Sequence, residues 1–386
     1  MITRDRIACG LFNAFLFLFI GLFQAGTARA GETHPWRAGL SLDAGWQEAL
    51  VSVPDLDRAI AFYRDAADWA LVHRGRVDPA WLEAWCLADG ASASEAVLRN
   101  PGDATGFLRL VRFEGVDQQV IRSAARAWEP GGHGGLNMRV LDIDAVYGEF
   151  QRWGWHGFSD PVTFELDRFT VTEVMMTGFG GEHVALIERS RPPLSGWPTL
   201  KTVSRAFNAW AVAADFDAMM DFYLDVLGFE VFLTEHGPSA PTGMNLFGLP
   251  HNLVADIPRR LTWVQPNGEN EGSLAVMVFD GLEGRNFQNR AHPPNLGLLS
   301  LRYPVSDLAG RYRSVKGKAP IVVGPGVFSM PPYGRVSAFT VRDPNGGWLT
   351  FFDPATPEVR PATAPARSVA PAGPSRSPKC PAPGAG

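Results

Sequence analysis

Residues 51–69 read VSVPDLDRAIAFYRDAADW, and residues 212–230 read VAADFDAMMDFYLDVLGFE. Around the start of the first stretch the side chains alternate. Ala49, Val51 and Val53 share one face of a strand, and Glu48, Leu50 and Ser52 share the other. Asp55 is placed to cap a helix, because its carboxylate can accept from the free N–H groups of the first turn. Leu56, Ile60, Tyr63 and Ala67 then recur at helical spacing, so strand and helix share one apolar core. The second stretch repeats the arrangement. Ala209, Ala211 and Ala213 lie opposite Asn208, Trp210 and Val212, Asp215 is the cap, and Phe216, Met220 and Tyr223 line the helix.

The correspondence continues along the chain. GFLRLVRFEG from Gly106 is echoed by GSLAVMVFDG from Gly272, and GLNMRV from Gly135 by LLSLRY from Leu298. GFGGEHVALIE from Gly178 is echoed by DPNGGWLTFFD from Asp343. Four motifs recur in one order at nearly one offset, which indicates a tandem duplication. Each copy is itself doubled, since a strand–helix start reappears in GGLNMRVLDIDAVYGEFQRWG and in GLLSLRYPVSDLAGRYRSV. The repeating unit is a strand, a helix and about three more strands, used four times, which makes an α+β protein.

The flanks read differently. Arg4 and Arg6, the apolar run LFNAFLFLFIGLF from Leu11 to Phe23, and Ala28-Arg29-Ala30 form a secretory signal pattern over residues 1–30. Cleavage after Ala30 places the chain in the periplasm or outside the cell; an uncleaved segment would serve as an N-terminal anchor. Residues 355–386, rich in Pro, Ala and Ser, hold too few large apolar groups to fold and are expected to be disordered. Of the three cysteines, Cys86 and Cys380 follow the leader, and a stable bridge between a core residue and a loose tail is not expected. The net charge of −5 over 386 residues is mild, and no basic stripe points to nucleic acid.

The quoted residues resemble the vicinal oxygen chelate superfamily, which includes glyoxalase I, bleomycin-resistance proteins and extradiol dioxygenases. The resemblance rests on Asp55-Leu56 with Ala61-Phe62-Tyr63, on Asp215-Phe216 with Phe222-Tyr223 and Leu227-Gly228-Phe229, and on Asp343-Pro344-Asn345-Gly346. The first copy departs from it at Ala67-Asp68-Trp69 and at Gly178-Phe179-Gly180-Gly181. The resemblance implies two tandem domains, residues 45–190 and 204–354, each closing two βαβββ modules around a cavity. It also implies a divalent metal held by His, Gln or Glu on the first and last strands of each module.

Those positions fall on Glu48, Arg109, Gly135 and Ala185 in the first copy, and on Asn208, Ala275, Leu298 and Thr350 in the second. Only Glu48 is a strong ligand, since a guanidinium stays protonated and repels cations. No metal centre is therefore expected, with a displaced site of Glu48, His133 and His183 as the alternative and a surface-loop His133 set against it. By parity the first cavity would carry Glu48, Ser52, Arg109, Asn137, Arg139 and His183. This suits an anionic or oxygen-rich small molecule, with Glu48 or His183 moving a proton and Arg109, Asn137 and Arg139 holding oxygens. The opposing reading is an internal Glu48–Arg109 ion pair. The second cavity, with Trp210 and Trp348, would bind a flat apolar ligand or be packed shut. Three functions stay open: a metal-independent lyase or isomerase, a metal-dependent glyoxalase or dioxygenase type of enzyme, and a small-molecule sequestering protein.

Overall fold

The computed structural model describes residues 39–166 and 168–355. Residues 1–38, with the expected signal pattern, and residues 356–386 lie outside the described residues. Four modules follow one another. The first runs β1 (Glu48–Ser52), α1 (Leu56–Asp65), β2 (Ala70–Arg76), α2 (Pro79–Ala84), β3 (Ser92–Arg99) and β4 (Phe107–Glu114). The second runs β5 (Gly135–Val140), α3 (Ile143–Arg152), β6 (His156–Gly157), β7 (Val162–Leu166), β8 (Phe169–Thr177) and β9 (His183–Arg191). The third holds β10 (Val203–Val212), α4 (Phe216–Asp221), β11 (Glu230–Pro238), β12 (Pro258–Gln265) and β13 (Ser273–Phe279). The fourth holds β14 (Gly297–Pro304), α5 (Leu308–Val315), β15 (Ile321–Ser329), β16 (Arg335–Arg342) and β17 (Trp348–Asp353).

One local device starts the main helix of every module. Asp55, Asp142, Asp215 and Asp307 each accept from the backbone N–H three residues on, at 3.0, 3.0, 3.0 and 2.7 Å. Each cap satisfies a donor that the helix cannot, worth about 1 kcal/mol. Within each module the first strand pairs in parallel with the last: β1 with β4, β5 with β9, β10 with β13 and β14 with β17.

The α+β class and the paired modules are as the sequence indicates, but the pairing is not within each half. The first module joins the fourth in an eight-stranded sheet, β15-β16-β17-β14-β1-β4-β3-β2. The second joins the third in a nine-stranded path, β11-β12-β13-β10-β5-β9-β8-β6, with β7 pairing to β8. The joins are antiparallel: Glu48 faces Arg302 across β1–β14, and Asn137 faces Asn208 across β5–β10. Neither 45–190 nor 204–354 closes a sheet by itself. The physical reason is that all four first strands offer similar free edges, so short-range pattern does not choose among them. The segment 192–202 links β9 to β10, and hence the modules that pair next to each other.

The helices hold the halves together in the other sense. Phe62 of α1 stacks on Trp155 of the second module at 4.7 Å, and Phe150 and Phe179 pack edge-on to it. Tyr303 and Phe229 make the equivalent contact between the third and fourth modules, at 5.6 Å. One continuous core joins the helices to the outer faces of both sheets. The inner face of each sheet carries a separate cluster. Burying each large apolar side chain contributes about 1.5–3 kcal/mol. Cys86, the only cysteine among the described residues, is disulfide-bonded; Cys380, to which no stable bridge is expected, lies outside the described residues.

Because each half leaves two first-strand edges unpaired, residues 39–200 and 201–355 produced separately should show no cooperative urea unfolding. Mixed after joint refolding, they should recover one cooperative transition by circular dichroism. Two independently cooperative halves would contradict the cross-pairing.

Candidate functional site

The parity assigned from sequence is correct, and the grouping is not. Glu48, Arg109 and Trp348 lie on the inner face of the eight-stranded sheet. Asn137, Arg139, His183 and Trp210 lie on that of the nine-stranded sheet. The expected first cavity is thus split between two sheets, as is the expected second.

On the eight-stranded sheet the charges consume one another. Arg109 Nε donates to Glu48 Oε1 at 2.7 Å and Nη2 to Oε2 at 3.1 Å, while Arg302 Nη1 donates to Oε1 at 2.9 Å. Arg109 also forms an ion pair with Glu95 at 2.9 Å and donates to the Pro331 carbonyl at 2.5 Å. Burial opposes the charge on Arg109, but Glu48 and Glu95 outweigh it and hold the guanidinium above its usual value. Two arginines and two glutamates balance, all buried. Trp81 covers them, with Arg302 at 5.2 Å from its ring and Phe328 stacked on it at 3.8 Å. Trp348 is part of the same packing. This is the internal ion-pair reading, extended by Arg302 from the fourth module.

The nine-stranded sheet is different. Its inner face carries Asn137, Arg139, Glu173, His183, Arg189, Asn208 and Trp210, set there by strand alternation among apolar neighbours. Arg139 and Glu173 both sit opposite Ile187, on either side of β9, so their Cα atoms are roughly 10 Å apart. Among the described residues neither side chain enters an ion pair or hydrogen bond. Arg139 lies over the Phe207 ring at 4.8 Å, with its Nε buried and unpartnered. Burial lowers the Arg139 pKa, Glu173 works against that, and the nearby charge of Arg189 reinforces it. Burial pushes the Glu173 carboxyl up to about 7, with Arg139 and Arg259 pulling it down and Glu235 adding to the rise. Arg259 and Glu235 pair with each other at 3.5 Å.

Other predicted groups are inner-face residues with little reach. His183 is buried, its ring parallel to that of Trp210 at 6.0 Å and edge-on to Phe158 at 5.1 Å. Burial, followed by Arg122 and His156, keeps its pKa well below the usual imidazole value, so it stays neutral. Trp210 lies under Gly134 and Gly135, where a Cβ would come within 2.0 Å and 2.8 Å of the indole; glycine is required for this approach. Asn137 and Asn208 keep buried Oδ1 atoms without a partner. His133 is not in a surface loop. It is buried, its Nε2 bonds the Trp348 carbonyl at 2.9 Å, and burial lowers its pKa to about 4.

Sequence reading missed Glu173, Arg189 and Arg259. The signal was present in Val171-Thr172-Glu173-Val174-Met175, where a carboxylate occupies the inward position between two apolar residues. A divalent metal does not fit these residues. No three His, Cys, Asp or Glu groups converge among the described residues, and both oxygens of Glu48 are taken by arginines.

No protein-family model and no curated protein matches the sequence. Solved structures do match in fold. Glyoxalase I from Zea mays superposes with a TM-score of 0.55 at 16% identity, covering 81% of this chain and 92% of that one. Its V278E mutant gives 0.56 at 14% identity, covering 83% and 97%. The chain shares the fold of glyoxalase I, the fold that the resemblance in the sequence implies.

Two expectations follow. Glu48→Gln leaves Arg109 and Arg302 buried with too little counter-charge and should cost about 3–5 kcal/mol in urea unfolding at pH 7; a loss under 1 kcal/mol would argue against the network. Glu173, with its folded pKa raised, binds a proton more tightly in the native state than in the unfolded state. Its contribution to stability is therefore present below the unfolded value near 4.5 and is lost as pH rises through about 7. Glu173→Gln should remove this fall, becoming the more stable protein above pH 7 in urea titrations across pH 4–8.

Proposed function

We propose that this is an exported, metal-independent lyase or isomerase that moves a proton on a small oxygenated anion, bound on the inner face of the nine-stranded sheet. The observation that carries the reading is the unpaired couple on that face: a carboxyl with a pKa of about 7 and an arginine without a counter-ion. A carboxyl near neutrality exists in both forms at working pH, which is what a general acid–base group needs. Arg139 would hold the anion and Glu173 would take a proton from the neighbouring carbon. Returning that proton to another carbon is isomerisation, and passing it to a departing oxygen is elimination. Glu48 and His183 take no part in this scheme, the first because it is fully paired and the second because it is buried and neutral. Export is supported by the pattern of residues 1–30.

The test is independent of the substrate's name. The mature protein is incubated in D2O with a panel of 2-hydroxy and 2-oxo carboxylic acids, and deuterium entering the carbon next to the bound group is followed by NMR. Exchange on at least one acid is expected, unaffected by chelator and reduced about 100-fold or more in Glu173→Gln. Binding without exchange would favour a sequestering protein, and exchange that survives Glu173→Gln would remove Glu173 from its role.

A further inference from the structure

The reading above leaves the kind of anion open. Arg139 and Arg189 narrow it. Arg139 on β5 is level with Ile187, and Arg189 follows two residues later on the same face of β9. Arg189 depresses the ionisation of Arg139, so the two positive groups feel each other. Among the described residues no carboxylate comes within ion-pair distance of either. Both keep a buried Nε with no acceptor. Arg189 uses one Nη on the Pro193 carbonyl, at 3.1 Å, which fixes the side chain without neutralising it. The adjoining Glu188 accepts from the Ile143 N–H at 2.8 Å and is committed elsewhere. Arg139 lies over the Phe207 ring at 4.8 Å and Arg189 over the Phe169 ring at 5.2 Å; the two like charges repel, and an anion that reaches both offsets the repulsion.

Geometry and charge together select the anion. Planar N–H pairs on two arginines match the two oxygens of a carboxylate. Arg259 is already paired with Glu235, so Arg139 and Arg189 stand against Glu173, and Arg168 lies over the same Phe169 ring at 5.2 Å; the surplus positive charge favours an anion. The surroundings are aromatic. Arg189 lies 5.2 Å from the ring of Phe169, and Phe164 and Trp263 are partly exposed against the same inner cluster. Flat rings on such walls gain from stacking beyond the area they bury.

We propose that Arg139 and Arg189 form a carboxylate clamp and that the ligand of this site is an aryl monocarboxylic acid, its ring resting against Phe169, Phe164 and Trp263. This rests on the reading of the nine-stranded face as the active one. It is tested on the full-length mature protein by tryptophan fluorescence and calorimetry with benzoate, phenylacetate, cyclohexanecarboxylate and inorganic phosphate. The expected order is the two aryl acids first, cyclohexanecarboxylate at least several-fold weaker, and no competition from phosphate. Arg139→Met and Arg189→Met should each weaken phenylacetate binding by roughly 10- to 100-fold, as loss of a charged hydrogen bond does. Neither should lower the midpoint of thermal unfolding appreciably, because both arginines are only partly buried and neither has an ion-pair partner to lose. Failure of both aryl acids to bind at millimolar concentration, or binding unchanged in both variants, overturns the clamp. Arginine-dependent binding with no deuterium exchange on any acid keeps the clamp and overturns the enzymatic reading. Exchange that needs Glu173 but neither arginine does the reverse.

Discussion

Every module in this chain ends with the same unsolved requirement: its first strand has one edge free. A buried strand edge must find hydrogen-bond partners, since an unpaired peptide group in the interior costs as much as a lost hydrogen bond. The chain meets this by joining β1 to β14 and β5 to β10. That choice decides which side chains share an inner face, and therefore which charges meet. Glu48 finds Arg302 because their strands are neighbours, although they are far apart in sequence. The helices meanwhile pack first module to second and third to fourth, through Phe62 on Trp155 and Tyr303 on Phe229. Sheets and helices thus join the four modules in two different combinations, which makes the whole assembly interdependent.

The two inner faces treat charge in opposite ways. On the eight-stranded sheet, positive and negative groups match one for one and are sealed under Trp81 and Phe328. Such a network is costly to break and adds little net stability over apolar packing, so its value is in register and partner choice. On the nine-stranded sheet the matching is incomplete. Arg139, Arg189 and Glu173 are positioned on strands and, among the described residues, have no ion-pair partner, although Arg189 donates to the Pro193 carbonyl. A fold that pairs its charges on one face and leaves them without counter-ions on the other singles out the unpaired groups as the candidate site.

The scaffold is shared with glyoxalase I, yet the strand positions expected to hold a metal carry Gly135, Ala185, Ala275 and Thr350, together with a Glu48 already bound to arginine. Shared fold does not carry shared chemistry. What the scaffold supplies here is a curved wall on which a carboxyl and two guanidiniums are held in fixed register.

Local pattern was enough to determine a good deal. The period-two strands, the four capping aspartates and the offset repeats marked four βαβββ modules, and parity correctly placed Glu48, Arg109, Asn137, Arg139 and His183 on inner faces. These features depend on neighbours within a few residues, which a sequence displays directly. The tertiary structure alone decided which modules pair. It therefore decided that Glu48 is spent in ion pairs and that Trp210 and His183 are packed. It also set Glu173, a single carboxylate inside an apolar strand, across from an unpaired Arg139. Pairing between distant strands is settled by the competition of similar edges and by core packing across the whole chain. No window of sequence contains that competition.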